Sequence, residues 1–117
     1  IVMTVIILVA AITSSTVTFA ASMPTTTITS IKAQNKAFTV KWKKKSSITG
    51  YQIQYSSDKK LKKNNKSVTV TKQKTTKATV KKLKSKKKYY VRVRTYKTVN
   101  GKKIYSSWSK VKSIKTK

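Results

Sequence analysis

The chain of 117 residues has 29 basic residues, a single acidic residue, and neither histidine nor cysteine. It therefore lacks the side chains for a catalytic carboxylate pair, a histidine-based triad, a cluster of metal ligands or a disulfide. We predict one domain that folds by packing alone, without enzymatic activity, cofactor or metal.

The first 20 residues predict an export signal. An apolar run at 1–12 is followed by small and hydroxyl residues, which is the order of a hydrophobic region and a cleavage region in a signal peptide. A membrane span needs about 20 apolar residues, so we expect cleavage after Ala20, with an uncleaved anchor or a buried strand as alternatives. No basic n-region precedes the run, and we expect a fragment of a precursor. The predicted product is secreted or at the cell surface, with no stable membrane span after cleavage.

After the leader, apolar residues recur with a period of two between turn residues, as in antiparallel sheets with one face in water. No stretch has the apolar spacing of a helix. Asn100-Gly101 predicts a tight type I′ hairpin. Seven strands are predicted in chain order, at 25–33, 38–42, 51–55, 68–70, 78–83, 89–94 and 104–114.

Three features of this pattern resemble the fibronectin type III family. Leu83, followed six residues later by Tyr89, is similar to the family's tyrosine corner. Trp42 stands at the end of the second strand, where it would fill the centre of the core. The residues Tyr-Ser-Ser-Trp-Ser-Lys at 105–110 resemble the last strand of repeats in bacterial surface proteins.

The resemblance covers residues 24–116 and implies an all-β, seven-stranded, immunoglobulin-like antiparallel sandwich, preceded by the signal segment at 1–20. It implies one sheet of strands A, B and E and another of C′, C, F and G, with no built-in activity. The family's adhesive Arg-Gly-Asp tripeptide is absent from the loop at 99–103, so integrin-type binding is not expected. The expected core residues are Trp42, Tyr51, Ile53, Leu83, Tyr89, Val91 and Val93.

The net charge of +28 comes almost entirely from lysine, because only Arg92 and Arg94 are arginines. Lysines are hydrated point charges that favour diffuse attraction to polyanions over geometric recognition. Alternatively, they only keep strand surfaces soluble and block edge-to-edge pairing. The one acidic residue, Asp58, is expected to close a turn by bonding its own backbone.

The outward face of the sixth strand predicts a candidate ligand platform. Alternate residues of that strand would place rings and guanidinium groups on one shelf, and the adjacent strands would add amides and further rings. Such a shelf is suited to stacking on sugars or bases and to pairing with phosphate or carboxylate. The alternative is a brace, because tryptophan over arginines resembles the cation–π ladder of cytokine-receptor fibronectin domains. The predicted platform residues are Gln52, Gln54, Tyr90, Arg92, Arg94, Tyr96, Tyr105 and Trp108.

Two function classes follow from these features. The first is a non-catalytic extracellular structural or adhesive module, a spacer or accessory domain at a bacterial cell surface. Its expected partners are anionic cell-wall polymers, carbohydrate or another surface protein. The second is a polyanion-binding protein that takes nucleic acid or acidic glycan on the shelf. The leader and the scarcity of arginine favour the first class, as a monomer with no specific nucleic-acid partner.

Overall fold

The computed structural model describes residues 23–117, and the predicted leader at 1–20 lies outside the described residues. None of the described residues belongs to a helix that is long and apolar enough to cross a membrane. The chain forms eight strands in this range: β1 (Ile28–Gln34), β2 (Ala37–Trp42), β3 (Gly50–Ser56), β4 (Lys66–Val70), β5 (Lys77–Val80), β6 (Lys88–Val99), β7 (Lys102–Tyr105) and β8 (Lys112–Lys115).

The strands form two antiparallel sheets. β1, β2 and β5 make the first, and β4, β3, β6 and β7 follow one another in the second, where β8 also pairs with β6. This arrangement confirms the all-β sandwich and the strand sets A-B-E and C′-C-F-G that the resemblance implied. The turn at Asn100-Gly101 also matches the predicted hairpin, because both residues have positive φ, at 50° and 78°.

The last predicted strand is divided into β7 and β8 because residues 106–111 leave the regular ladder. The N–H groups of Ser106 and Ser109 donate to the carbonyls of Thr95 and Val93, at 3.0 and 2.8 Å. In return, the two serine hydroxyls accept hydrogen bonds from the N–H groups of Thr95 and Val93, each at 3.0 Å. Serine side chains thus replace strand carbonyls, and the edge of β6 stays hydrogen-bonded where regular pairing stops.

The core lies between the two sheets and is filled by alternate residues of β2, β3 and β6. The rings of Trp42 and Tyr51 pack with centroids 5.3 Å apart. The indole Nε1 of Trp42 is buried with no hydrogen-bond partner among the described residues, so this side chain contributes through its apolar area. Leu83 is half-buried against the cluster. The structure buries the other residues expected in the core, which are Trp42, Tyr51, Ile53, Tyr89, Val91 and Val93.

The connection from β5 to β6 is fixed by the hydroxyl of Tyr89, which accepts a hydrogen bond from the backbone N–H of Lys84 at 3.1 Å. The same connection is held from outside by Thr116. Its hydroxyl accepts from the N–H of Lys87 at 3.0 Å and donates to the carbonyl of Lys84 at 2.5 Å. Leu83, Lys84 and Tyr89 therefore form the tyrosine corner that the sequence indicated.

We expect Tyr89→Phe to lower the free energy of unfolding by about 1 kcal/mol, because the N–H of Lys84 loses its acceptor while the ring stays. Urea unfolding measures the change. Tyr90→Phe is the matched control, because the Tyr90 hydroxyl has no hydrogen bond to any described residue. Equal losses in the two variants would show that the corner hydrogen bond contributes nothing to stability.

Candidate functional site

The outward face of β6 holds both arginines of the chain against β3. The strand register places Arg92 opposite Gln54 and Arg94 opposite Gln52. The Nε of each arginine donates to the Oε1 of its glutamine at 2.7 Å. Each guanidinium is thus fixed along one edge by an amide from the neighbouring strand.

Two aromatic rings from the end of β7 and the segment after it cover these guanidinium groups. The ring centroid of Trp108 lies 4.4 Å from the Cζ of Arg92 and 4.1 Å from the Cζ of Arg94. The ring of Tyr105 lies 3.8 Å from the Cζ of Arg94. These distances are well within the range of cation–π attraction. We call this set the arginine ladder, which consists of Gln52, Gln54, Arg92, Arg94, Tyr105 and Trp108.

The two remaining residues predicted for the platform lie beyond the ladder. Tyr96 is only 2% exposed, because the residue opposite it is Gly50, whose missing side chain leaves room for the ring. Its ring centroid lies 6.1 Å from that of Tyr105. Tyr96 therefore does not offer the accessible ring that the platform prediction needed. Tyr90 is half-buried, with the Nζ of Lys88 5.6 Å from its ring centroid.

The two guanidinium groups of the arginine ladder are cations that have lost part of their hydration. Burial lowers the pKa of Arg92. Burial also lowers the pKa of Arg94, with the charge of Arg92 acting in the same direction and Tyr105 acting against it. Arginine stays protonated in proteins, so two like charges are held side by side and are stabilised by ring faces and amide oxygens. The ladder joins β3, β6 and the segment after β7, which is the geometry of a brace.

The only acidic side chain is held by its own loop. The carboxylate of Asp58 accepts hydrogen bonds from the N–H groups of Lys62, Lys60 and Lys63, at 2.9, 3.3 and 3.1 Å. These bonds, with Lys62 foremost, lower the pKa of Asp58. They confirm the expected turn, and they leave the carboxylate committed to the loop. Across the described part of the chain, no group of histidine, cysteine or acidic residues could hold a metal ion.

A further tyrosine, Tyr51, bridges two loops through its hydroxyl, and sequence reasoning missed this contact. The hydroxyl of Tyr51 accepts from the N–H of Lys45 at 3.0 Å and donates to the carbonyl of Gln73 at 2.9 Å. The side-chain amide of Gln73 also donates to the carbonyl of Lys45. The bridge joins two loops that are distant in sequence, so no local pattern announces it.

Comparisons with known proteins agree on the fold. The family model for the fibronectin type III domain matches residues 22–112, which overlap the predicted domain at 24–116. The boundaries of that domain stay a prediction. Among curated proteins no match is found.

Two solved structures illustrate the similarity. One is a β-1,2-glucanase from Parabacteroides distasonis, with 22% identity and a TM-score of 0.65 over 81% of this chain and 13% of the glucanase. The other contains the FN1–FN3 domains of chicken CNTN1, with 23% identity and a TM-score of 0.66 over 80% of this chain and 33% of that one. The chain spans a minor part of each structure, so the similarity shows the fold and leaves function to the site.

Trp108→Ala should lower the free energy of unfolding by about 2 kcal/mol, because each of two partly dehydrated guanidinium groups loses a stacking partner worth about 1 kcal/mol. Trp108→Phe keeps a ring with a weaker quadrupole and should lose less than half as much. Urea unfolding of both variants measures the difference. If Trp108→Ala unfolds like the wild type, the ladder is not a brace.

Asp58 should produce a fall in stability at acid pH. Its pKa in the folded protein lies below the ordinary value of 3.8. The stabilisation is therefore complete above that value and is lost as the pH falls through the folded pKa. Urea midpoints from pH 6 down to pH 2 should drop for the wild type and stay nearly level for Asp58→Asn, whose midpoint at pH 6 is already lower. Parallel pH profiles for the two proteins would contradict the role of the carboxylate.

Proposed function

Because the chain belongs to the fibronectin type III family, we propose that it is a non-catalytic, monomeric module at a bacterial cell surface that is attracted to anionic envelope polymers. Fibronectin type III domains are often extracellular structural or adhesion modules. The observation that carries the proposal is the net charge of +28 on a domain with a single acidic side chain. A surface of one sign attracts polymers of the opposite sign over distances limited by salt.

The lysines surround the domain instead of forming one patch. Exposed lysines occur on both sheets and on the connections between strands. The single negative charge of Asp58 compensates for little of the charge of the 29 basic residues. A polymer with repeated negative charges could therefore contact the domain from several sides. Exposed strand lysines include Lys32, Lys41, Lys66, Lys77, Lys102 and Lys115.

The arginine ladder indicates that lysines, and not the two arginines, are available to attract polyanions. Arginine is the residue that recognises phosphate and carboxylate with a bidentate fork. Both arginines of this chain instead stack on Trp108 and bond to glutamines. Attraction to polyanions then rests on lysines and is diffuse. The alternative, a polyanion-binding protein that uses the outward face of β3, β6 and β7, has less support because the rings already cover the guanidinium groups.

An accessory role in a larger protein falls within this proposal. The chain matches 13% of a β-1,2-glucanase, so the same fold occurs inside a much larger enzyme. In such a setting the lysines would hold the enzyme near an anionic envelope, and the chemistry would lie in another domain. The lack of histidine and the single acidic residue of this chain support that assignment.

Retention on immobilised poly(glycerol phosphate) tests the proposal, with neutral dextran as the matched matrix. We expect retention by the anionic matrix alone, and binding should weaken at least about 100-fold between about 50 and 200 mM NaCl as counterion release loses its driving force. Trp108→Ala, measured where it is folded, should show the same salt dependence.

Two results would contradict this proposal. No retention at about 50 mM NaCl would leave the lysines as solubilising residues only. A remainder that is insensitive to salt and is lost in Trp108→Ala would transfer the binding to the arginine ladder.

A further inference from the structure

A cavity of about 380 Å³ opens at one end of the sandwich. The end of β3 and the start of β4 form one side, and the connection from β5 to β6 forms the other. Its volume is at the lower end of the range for small-molecule sites, about 300 to 1,000 Å³. We call it the lysine cleft, and its principal residues are Tyr55, Lys66, Lys82, Lys84, Lys87 and Tyr89.

The cleft gathers positive charge in a concave space. Lys66 comes from β4, whereas the other three lysines come from the connection between β5 and β6. No acidic side chain lines the space, because the only one in the chain is Asp58, outside the cleft. Like charges around a cavity with low-dielectric walls repel one another and focus their field into it. An anion in the cleft would relieve that repulsion.

Two tyrosine rings belong both to the cleft and to the core. Tyr55 and Tyr89 pack on Phe38, with centroid distances of 5.8 and 6.4 Å. The core therefore fixes the rings before any ligand arrives. The hydroxyl of Tyr89 accepts from Lys84 and keeps its own proton for donation. Burial, with Tyr89 as a smaller contribution, raises the pKa of Tyr55, so its hydroxyl also stays a donor.

We propose that the lysine cleft binds a sugar unit that carries a phosphate or a carboxylate, such as the terminal unit of an anionic polysaccharide. The lysines pair with the anionic group, and the half-buried ring of Tyr55 and the two tyrosine hydroxyls contact the sugar. This inference rests on the proposed function, because the polymer that the lysine surface collects supplies the unit. It adds a defined site to an attraction that is otherwise diffuse.

Four probes test the proposal: glucose 6-phosphate, glucuronate, glucose and inorganic phosphate. Each is titrated into isotope-labelled protein at about 150 mM NaCl, because this salt concentration screens the diffuse attraction. Glucose 6-phosphate, glucuronate or both should shift amide resonances of the cleft residues, with a Kd on the order of 1 mM. The better of the two identifies the anion. Glucose and inorganic phosphate should each bind at least about tenfold more weakly, because each offers half of the contacts.

Two double variants of equal net charge distinguish binding at the lysine cleft from attraction to the rest of the lysine surface. Lys82→Gln with Lys87→Gln removes two cleft lysines. Lys32→Gln with Lys41→Gln removes two lysines of β1 and β2, which do not line the cleft. The first should weaken binding of the sugar anion at least about tenfold, and the second less than about twofold. Equal effects, or resonance shifts spread over the whole surface, would overturn the cleft proposal.

Retention on poly(glycerol phosphate), measured on the same preparations, keeps the two proposals distinguishable. If the sugar anions fail to bind while the polymer is retained, the cleft proposal fails and the proposed function stands. If the sugar anions bind at the cleft and the polymer is not retained, the proposed function fails and the site remains. Unchanged urea midpoints confirm that neither double variant acts by unfolding the domain.

Discussion

The alternation of side chains along β6 is the constraint on which the rest of the structure depends. Tyr89, Val91 and Val93 point into the space between the sheets, where burial of apolar area provides most of the driving force for folding. Because the period of a strand is two, Arg92 and Arg94 must then lie on the opposite face. The same strand thus builds the core on one side and the arginine ladder on the other.

The segment after β7 illustrates how hydrogen bonding and stacking support one another. Ser106 and Ser109 replace the missing strand pairing with side-chain and backbone hydrogen bonds to β6. They hold the chain between them close to the sheet, and Trp108 lies in that stretch. The tryptophan covers two like charges that are also hydrogen-bonded to Gln54 and Gln52. The irregular edge of the sheet is therefore as well satisfied as a regular strand.

Charge and shape contribute different parts of the proposed function. Lysines over the whole surface produce attraction without specificity, which any polyanion would share. The end of the sandwich adds shape, because two strand connections and two core tyrosines enclose the lysine cleft. In this view the flat faces of the sheets collect the polymer and the concave end selects a unit of it. The fold itself prescribes neither property, since unrelated functions share it.

The sequence by itself determined the class of fold, because a period of two and the pair Leu83 and Tyr89 report directly on strands and on the corner between them. Its composition also predicted a domain without enzymatic activity. Only the tertiary structure decided which outward residues remain accessible. Tyr96 is buried because its ring occupies the room that Gly50 leaves on the neighbouring strand, a relation set by strand register. The lysine cleft was likewise decided by the tertiary structure. Lys82, Lys84 and Lys87 are close in sequence, but Lys66 and the two tyrosines join them only when separate connections meet at one end of the sandwich.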